Sequence, residues 1–375
     1  MQEQKIDLIS AAPGQRVQLT AWLFGTPGHG PKAAIQAALH ADEIPARLGA
    51  QRWRHHFQAL EQAGQLLGEV VLVPYANPLG LGQQVLGHAI GRFDLRDGTN
   101  FNRHYAELGS AAAVLLEGRL GGDAAANRQA IREALRAALR DSAAQPTSQF
   151  PAVDLKHKLL HLAIDADIVL DLHCDAQAAM HVYTLTPFAE HGMELGALLG
   201  AQAVLLADES GDSPFDEACS RPWAQLRDKF AAHALPLGCF SATVELRGEA
   251  DTSHALAEQD ALAIVEFLRR RGVVAGKPAA LPAALCKATP LAGSEPVTAD
   301  RAGIVVFHHD PGSRVSAGDV VADIVDADSG AVHSLRAQST GVLYARVATR
   351  WATAGKRLAK IAGATPVRSG KLLSP

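Results

Sequence analysis

Cysteine is scarce in this 375-residue chain: Cys174, Cys219, Cys239 and Cys286 stand far apart and none forms a Cys-x-x-Cys pair. That argues against a disulfide framework and suits a reducing, cytoplasmic setting. No stretch of about 18 apolar residues runs without a charge, so no membrane span is expected. The opening Met1-Gln2-Glu3-Gln4-Lys5-Ile6-Asp7 is too polar for a signal peptide. Lys/Arg-rich runs are missing and the net charge is −4, which disfavours nucleic acid or an anionic membrane as partner. Internal repeats and long low-complexity tracts are also lacking. What is present is ordinary globular material, 48% hydrophobic and 20% charged, enough for a full core. The length predicts two domains, or one large domain with an appendage.

Residues 16–24, 33–39, 69–74, 167–172, 181–185, 203–207 and 242–246 read as strands from alternation or short apolar runs. Helical spacing covers 43–63 through Leu48, Trp53, Phe57 and Leu60, and also 124–139 and 154–162. Residues 253–271 form a further helix, with Ser253 as its cap and Leu256, Ala263, Ile264 and Leu268 as its apolar stripe. Strands alternating with helices predict a sheet covered on both faces, an α/β/α sandwich. The texture changes after Gly276. Residues 277–285 are rich in Pro and Ala and read as a linker. Short β-like runs at 303–307, 319–324, 332–335 and 341–346 follow, separated by turn residues. We therefore expect a main domain over 1–276 and a linker with a small all-β domain over 277–375.

Four segments carry chemistry. In Ala38-Leu39-His40-Ala41-Asp42-Glu43 an apolar strand ends where a helix begins, the place where ligands of open α/β sheets collect. A neutral imidazole and a carboxylate three residues apart can reach one cation; the plainer reading is a polar turn with a capping Glu. In Asp171-Leu172-His173-Cys174-Asp175 a β-rich run again ends in His, with Asp171 or Asp175 to accept its second ring N–H. His40, Glu43 and His173 together supply the three ligands of a catalytic zinc site with one open position. The loop from Gly91 to Arg103 carries Arg92, Arg96 and Arg103 among amides and hydroxyls, and arginine forks hold carboxylates. Glu245 closes the run Ser241-Ala242-Thr243-Val244-Glu245, where a carboxylate beside a metal-activated water can move a proton to a leaving amine.

These four pieces, in this order over about residues 30–275, resemble the succinylglutamate desuccinylase/aspartoacylase family of the zinc-carboxypeptidase-like superfamily. The resemblance implies a three-layer α/β/α sandwich with a mixed sheet and one zinc ion per chain. It implies His40, Glu43 and His173 as zinc ligands, Asn102 and Arg103 as the carboxylate grip, Arg92 as a further substrate arginine, and Glu245 as general base and acid. The implied reaction is hydrolysis of the amide of an N-acyl amino acid or similar small carboxylate. Alternatives are ester or C-terminal peptide hydrolysis at the same site, and a non-catalytic binding protein keeping the fold. The stretch between Arg92 and Asn102 is longer than in the best-known members, which leaves Arg96 as an alternative to Arg92. The identity of the acyl group and a homo-oligomeric state are both left open.

Residues 302–363 resemble the half-barrel of biotinyl/lipoyl carriers, with Val315-Ser316-Ala317-Gly318-Asp319-Val320-Val321 as the telling piece. The hairpin at 326–330 has no lysine to modify, so a structural or gating role is expected. Gly25-Thr26-Pro27-Gly28-His29-Gly30 lacks the Gly-Lys-Ser/Thr ending of a phosphate loop, and Gly211-Asp212-Ser213 lacks a nucleophile elbow. Cys174 is expected to be a small buried thiol. His55, His56, His157 and His161 are expected on helix surfaces, and His308 and His309 on an exposed turn.

Overall fold

The computed structural model describes residues 1–10, 12–145, 149–233 and 235–373, so the last two residues of the expected β domain lie outside the described residues. Its elements begin with β1 (Gln2–Asp7), β2 (Gln18–Phe24) and β3 (Lys32–Ala37), then helix α1 (Pro45–Gln62) and β4 (Glu69–Val73). A short helix α2 (Pro78–Leu81) and the hairpin β5 (Gln84–Val85) and β6 (His88–Ala89) lead to helices α3 (Gly109–Leu116), α4 (Ala124–Ala143) and α5 (Pro151–Ala163). Next come β7 (Ile168–Asp175), β8 (Gln177–Ala178), β9 (His181–Leu185), α6 (Ala189–Leu199) and β10 (Ala203–Ala207). The helix α7 (Phe215–Lys229), β11 (Phe240–Gly248) and α8 (His254–Arg270) complete this part.

Nine strands form one mixed sheet in the order β1-β2-β4-β3-β7-β11-β9-β10 and finally β12 (Ala288–Pro290). Strands β4, β3, β7 and β11 run parallel, and β11 meets β9 antiparallel. Seven of the eight residues of β7 are buried, as a central strand covered on both faces requires. One apolar layer joins the sheet to α3, α4, α5 and α7, with Phe101, Leu135, Leu159 and Trp223 at its centre. The opposite layer packs α1, α6 and α8 through Trp53, Phe57, Leu195 and Phe267. This is the expected three-layer sandwich. Helices α4 and α8 start at side-chain caps: Asp123 accepts from the amides of Ala125 and Ala126, and Ser253 accepts from Leu256. Arg269 and Arg270 close α8 where the helix dipole favours cations.

Residues 277–285 run exposed. Beyond β12 come β13 (Ser294–Thr298), β14 (Gly303–Phe307), β15 (Arg314–Val315) and β16 (Val320–Val325). They are followed by β17 (Val332–Arg336), β18 (Gly341–Arg346), β19 (Trp351–Ala352) and β20 (Arg357–Gly363). Two four-stranded paths, β13-β20-β18-β15 and β17-β16-β14-β19, enclose a small core around Val321, Leu343 and Ile361. Two segments are exchanged between the halves. β12 completes the large sheet against β10, and β8 pairs with β18 of the carboxyl-terminal sheet.

Several elements differ from the sequence reading. β1 is a fully paired edge strand of mostly exposed polar residues. α3, α6 and α7 are additional helices, and α7 carries Pro222 in its interior. His157 does not lie on a helix surface: it is buried, with its Nε2 3.2 Å from Ser142 Oγ of α4. His161 is exposed, and His308 is exposed with Asp323 at 2.7 Å.

Candidate metal centre

The site grows from the carboxyl ends of three parallel strands. After β3 the chain turns sharply at Ala38, whose φ of 57° is a conformation L residues rarely adopt. The turn delivers His40, and Glu43 N then donates to His40 O at 3.1 Å, just before Pro45 starts α1. β7 delivers His173, and β11 places Glu245 directly beside it, since Glu245 pairs with His173 in register. Past Glu245 the register shifts before Gly248, and Arg247 has φ 67°.

His40, Glu43 and His173 are all buried, and one ligand atom of each lies within 4.8 Å of the others. Glu43 stands between the imidazoles: Oε1 is 2.8 Å from His40 Nδ1 and Oε2 is 2.7 Å from His173 Nδ1. The other ring nitrogens have acceptors of their own. His173 Nε2 faces Asp171 Oδ2 at 2.9 Å, and His40 Nε2 faces Asn100 Oδ1 at 3.2 Å. With both rings neutral, Nε2–H donation to those oxygens leaves both Nδ1 atoms as lone pairs turned toward a carboxylate. Such a set of acceptors needs positive charge in its midst, and two nitrogens and a carboxylate are the donor set of a catalytic zinc site. The same need shows in the titration. Burial opposes ionisation of Glu43, yet His173 and His40 outweigh it and hold the carboxyl below its ordinary range. Burial likewise opposes protonation of His173, but Asp171 and Glu43 raise it well above an ordinary imidazole. Of the two aspartates flanking His173, Asp171 orients the ring; Asp175 instead meets Lys360 Nζ at 2.5 Å.

The arginine loop is clamped against the His40 turn at Gly91, where a Cβ would meet Asp42 N at 2.3 Å; Gly91 O accepts from Ala41 N. This close approach sets Arg92 Nη1 3.2 Å from His40 Nδ1 and 3.9 Å from Glu43. Arg96 is turned away onto Asp94 and does not line the cavity. Asn102 is engaged on both sides of its amide: Nδ2 donates to Asp171 at 3.3 Å, and Oδ1 accepts from Phe215 N at 2.9 Å. Arg103 donates to Asn102 O at 2.7 Å, and its own carbonyl accepts from the buried Lys156 Nζ at 2.7 Å. Burial pushes the Lys156 ammonium down to about 8. Cys174 is a buried thiol, its amide donating to Glu43 Oε2 at 3.1 Å.

A cavity of about 250 Å³ opens over this face of the sheet, lined by His40, Glu43, Arg92, Arg103, His173 and Glu245. Glu245 Oε2 is buried without a hydrogen-bond partner among the described residues. Burial, aided by Glu43 and opposed by His173, pushes the Glu245 carboxyl up to about 8. The roof comes from the carboxyl-terminal strands, which bring Arg346, Arg357 and Lys360 to the same cavity. Those three residues escaped sequence reasoning, as did Asp216 and Glu217, which line the wall at the start of α7. The only advance signal for the acids was an adjacent pair after a Gly-Asp-Ser-Pro turn. No other metal-type cluster exists among the described residues. No helix in the described residues is long and apolar enough to cross a membrane.

The catalytic-domain model of the succinylglutamate desuccinylase/aspartoacylase family matches residues 29–271. Among solved structures, a protein of that family from Shewanella amazonensis superposes with a TM-score of 0.84 at 26% identity, covering 96% of this chain and 98% of its own. A second, from Shewanella frigidimarina, gives 0.83 at 24% identity and covers 96% of each chain. The product-bound ectoine utilization protein EutE from Ruegeria pomeroyi gives 0.65 at 16% identity, covering 96% of this chain and 94% of its own. Among curated protein sequences none matches.

Proposed function

The chain belongs to the succinylglutamate desuccinylase/aspartoacylase family, and from that premise we propose that it is a zinc-dependent deacylase cleaving the amide of an N-acyl amino acid or similar small carboxylate. The observation that carries this reading is the convergence of His40 and His173 Nδ1 on Glu43, with Glu245 beside them in register and Arg103 in the same cavity. His40, Glu43 and His173 would hold one zinc ion per chain. Bound there, zinc supplies Lewis acidity toward a carbonyl and acidifies water.

The rest falls to the chain's own side chains. Glu245 Oε2, free of other partners among the described residues, takes up a proton from attacking water and returns it to the departing nitrogen. Burial raises this carboxyl in the metal-free chain, which favours its holding a proton, and a cation held by the neighbouring residues would favour its release, so both halves of the transfer are within its reach. Arg92, close to His40 and Glu43, offers positive charge to a carbonyl oxygen that becomes negative. Arg103 receives the substrate carboxylate, and Asn102 acts mainly by fixing the loop through Asp171 and Phe215. A cavity this size accommodates a small molecule. Four cysteines held as free thiols agree with a cytoplasmic setting.

The test is a hydrolysis screen of N-acyl amino acids, with the metal removed by chelation and zinc then restored. Turnover that disappears with the metal and returns with zinc supports the proposal. Metal-independent turnover, or stoichiometric zinc with no hydrolysis of any acylated amino acid, ester or peptide, overturns it.

A further inference from the structure

The cavity extends past the metal centre along the same sheet face. Thr243, two residues before Glu245, faces that way and pairs with Asp171 on one side and Tyr183 on the other. Strand geometry sets this row about 7 Å from Glu245. The first turn of α7 covers it and brings Asp216 and Glu217 into the wall. Asp216 is 6% exposed, and its carboxyl meets the Thr243 hydroxyl. Glu217 is 5% exposed; Oε1 accepts from Ser210 N at 2.8 Å, whereas Oε2 has no hydrogen-bond partner among the described residues. Ser210 Oγ, 3% exposed on the same wall, lies alongside without a bond of good geometry.

Two buried carboxyls in one wall are costly unless positive charge balances them. Burial pushes Asp216 up to about 7, with Glu217 and Asp171 adding to the effect, and raises Glu217 as well. Cations of the same cavity are committed elsewhere: Arg346 pairs with Asp310 at 2.9 Å and Lys360 with Asp175 at 2.5 Å. Arg103 is shared among Asp216, Asp212 and Glu217, and Arg221 turns to Glu209 at 2.6 Å. Acids in a helix's first turn do favour its dipole, but that leaves Glu217 Oε2 buried with no hydrogen-bond partner among the described residues.

We propose that Asp216 and Glu217 form a subsite for a positively charged nitrogen on the amino-acid half of the substrate, so that the preferred substrates are N-acylated basic amino acids. The inference rests on the deacylase reading above. Arg103 takes the α-carboxylate, and the side-chain ammonium or guanidinium enters the space between Thr243 and the start of α7.

The experiment compares Nα-acetyl-lysine and Nα-acetyl-arginine with Nα-acetyl-norleucine, a neutral analogue of similar length, using the zinc-loaded full chain. The lysine and arginine derivatives should exceed norleucine in kcat/KM by about tenfold or more. The ratio should fall toward one in Asp216→Asn or Glu217→Gln, a readout insensitive to overall loss of folded protein. Calorimetric binding of free L-lysine against L-norleucine gives a second measure that needs no turnover. Selective lysine binding without hydrolysis keeps the subsite and removes the deacylase reading. Equal treatment of lysine and norleucine in wild type, or an unchanged ratio in both variants, overturns the subsite.

Discussion

Glu245→Gln keeps the shape of the side chain while removing its proton chemistry, and the structure sets two magnitudes for it. The first is kinetic. Loss of a positioned general acid and base costs about 10²–10⁴ in rate, and kcat should fall by that much. Zinc should stay, because the proposed ligands are His40, Glu43 and His173 and Glu245 is not among them. The second is thermodynamic. Glu245 ionises near 4.5 in an ordinary setting and near 8 in its buried place on β11. Between those values the folded chelator-treated protein carries a proton that the unfolded chain has lost. Stability from this group is therefore fully present below pH 4.5, declines as pH rises, and is gone above about 8. The full difference corresponds to about 5 kcal/mol, and water entry or coupling to Glu43 reduces it. Denaturant midpoints with chelator at about pH 5.5 and about pH 8.5 should show wild type losing at least about 1 kcal/mol more than the variant. Identical slopes would refute the burial argument. Turnover within about threefold of wild type would remove Glu245 from proton transfer.

Other perturbations probe separate parts of the site and core. His40→Ala or His173→Ala should abolish stoichiometric zinc by elemental analysis, and retention in either would overturn the ligand assignment. Asp171→Asn, which alters the oxygen facing His173 Nε2 at 2.9 Å, should weaken zinc by about 10–100-fold in competition with a chelator. Arg103→Ala should lower kcat/KM by about 10–100-fold for substrates with a free α-carboxylate and far less for their α-carboxamides; equal losses would argue against the clamp. Trp53→Ala, at the fully buried centre of the α1 layer, should cost about 3–5 kcal/mol in urea denaturation.

The His40, Glu43 and His173 cluster was legible because each histidine follows an apolar run at a strand end, with Glu43 one turn after the first, and the pairing of β3 with β7 brings those ends together. The helices with clear caps were legible for the same local reason. β1 was not: its residues are mostly polar and exposed, and only its partner β2 makes it a strand. α7 was hidden by Pro222, which usually ends a helical pattern, and by the Gly-Asp-Ser-Pro turn before it. With α7 unread, Asp216 and Glu217 had no place beside Thr243. Arg346, Arg357 and Lys360 were invisible for another reason: nothing local shows that β18 and β20 fold back over a cavity begun more than 300 residues earlier at His40.

The traded strands bear on how this architecture can be altered. β8 belongs to the ceiling sheet though it lies just after His173, and β12 belongs to the floor sheet though it lies beyond the linker. A graft that replaces the later module to redirect the enzyme toward new compounds must therefore cut at neither 276 nor 277. It must preserve β12 and rebuild the Gln177–Ala178 seam, or the new ceiling will lose its strand pairing to the segment that follows His173.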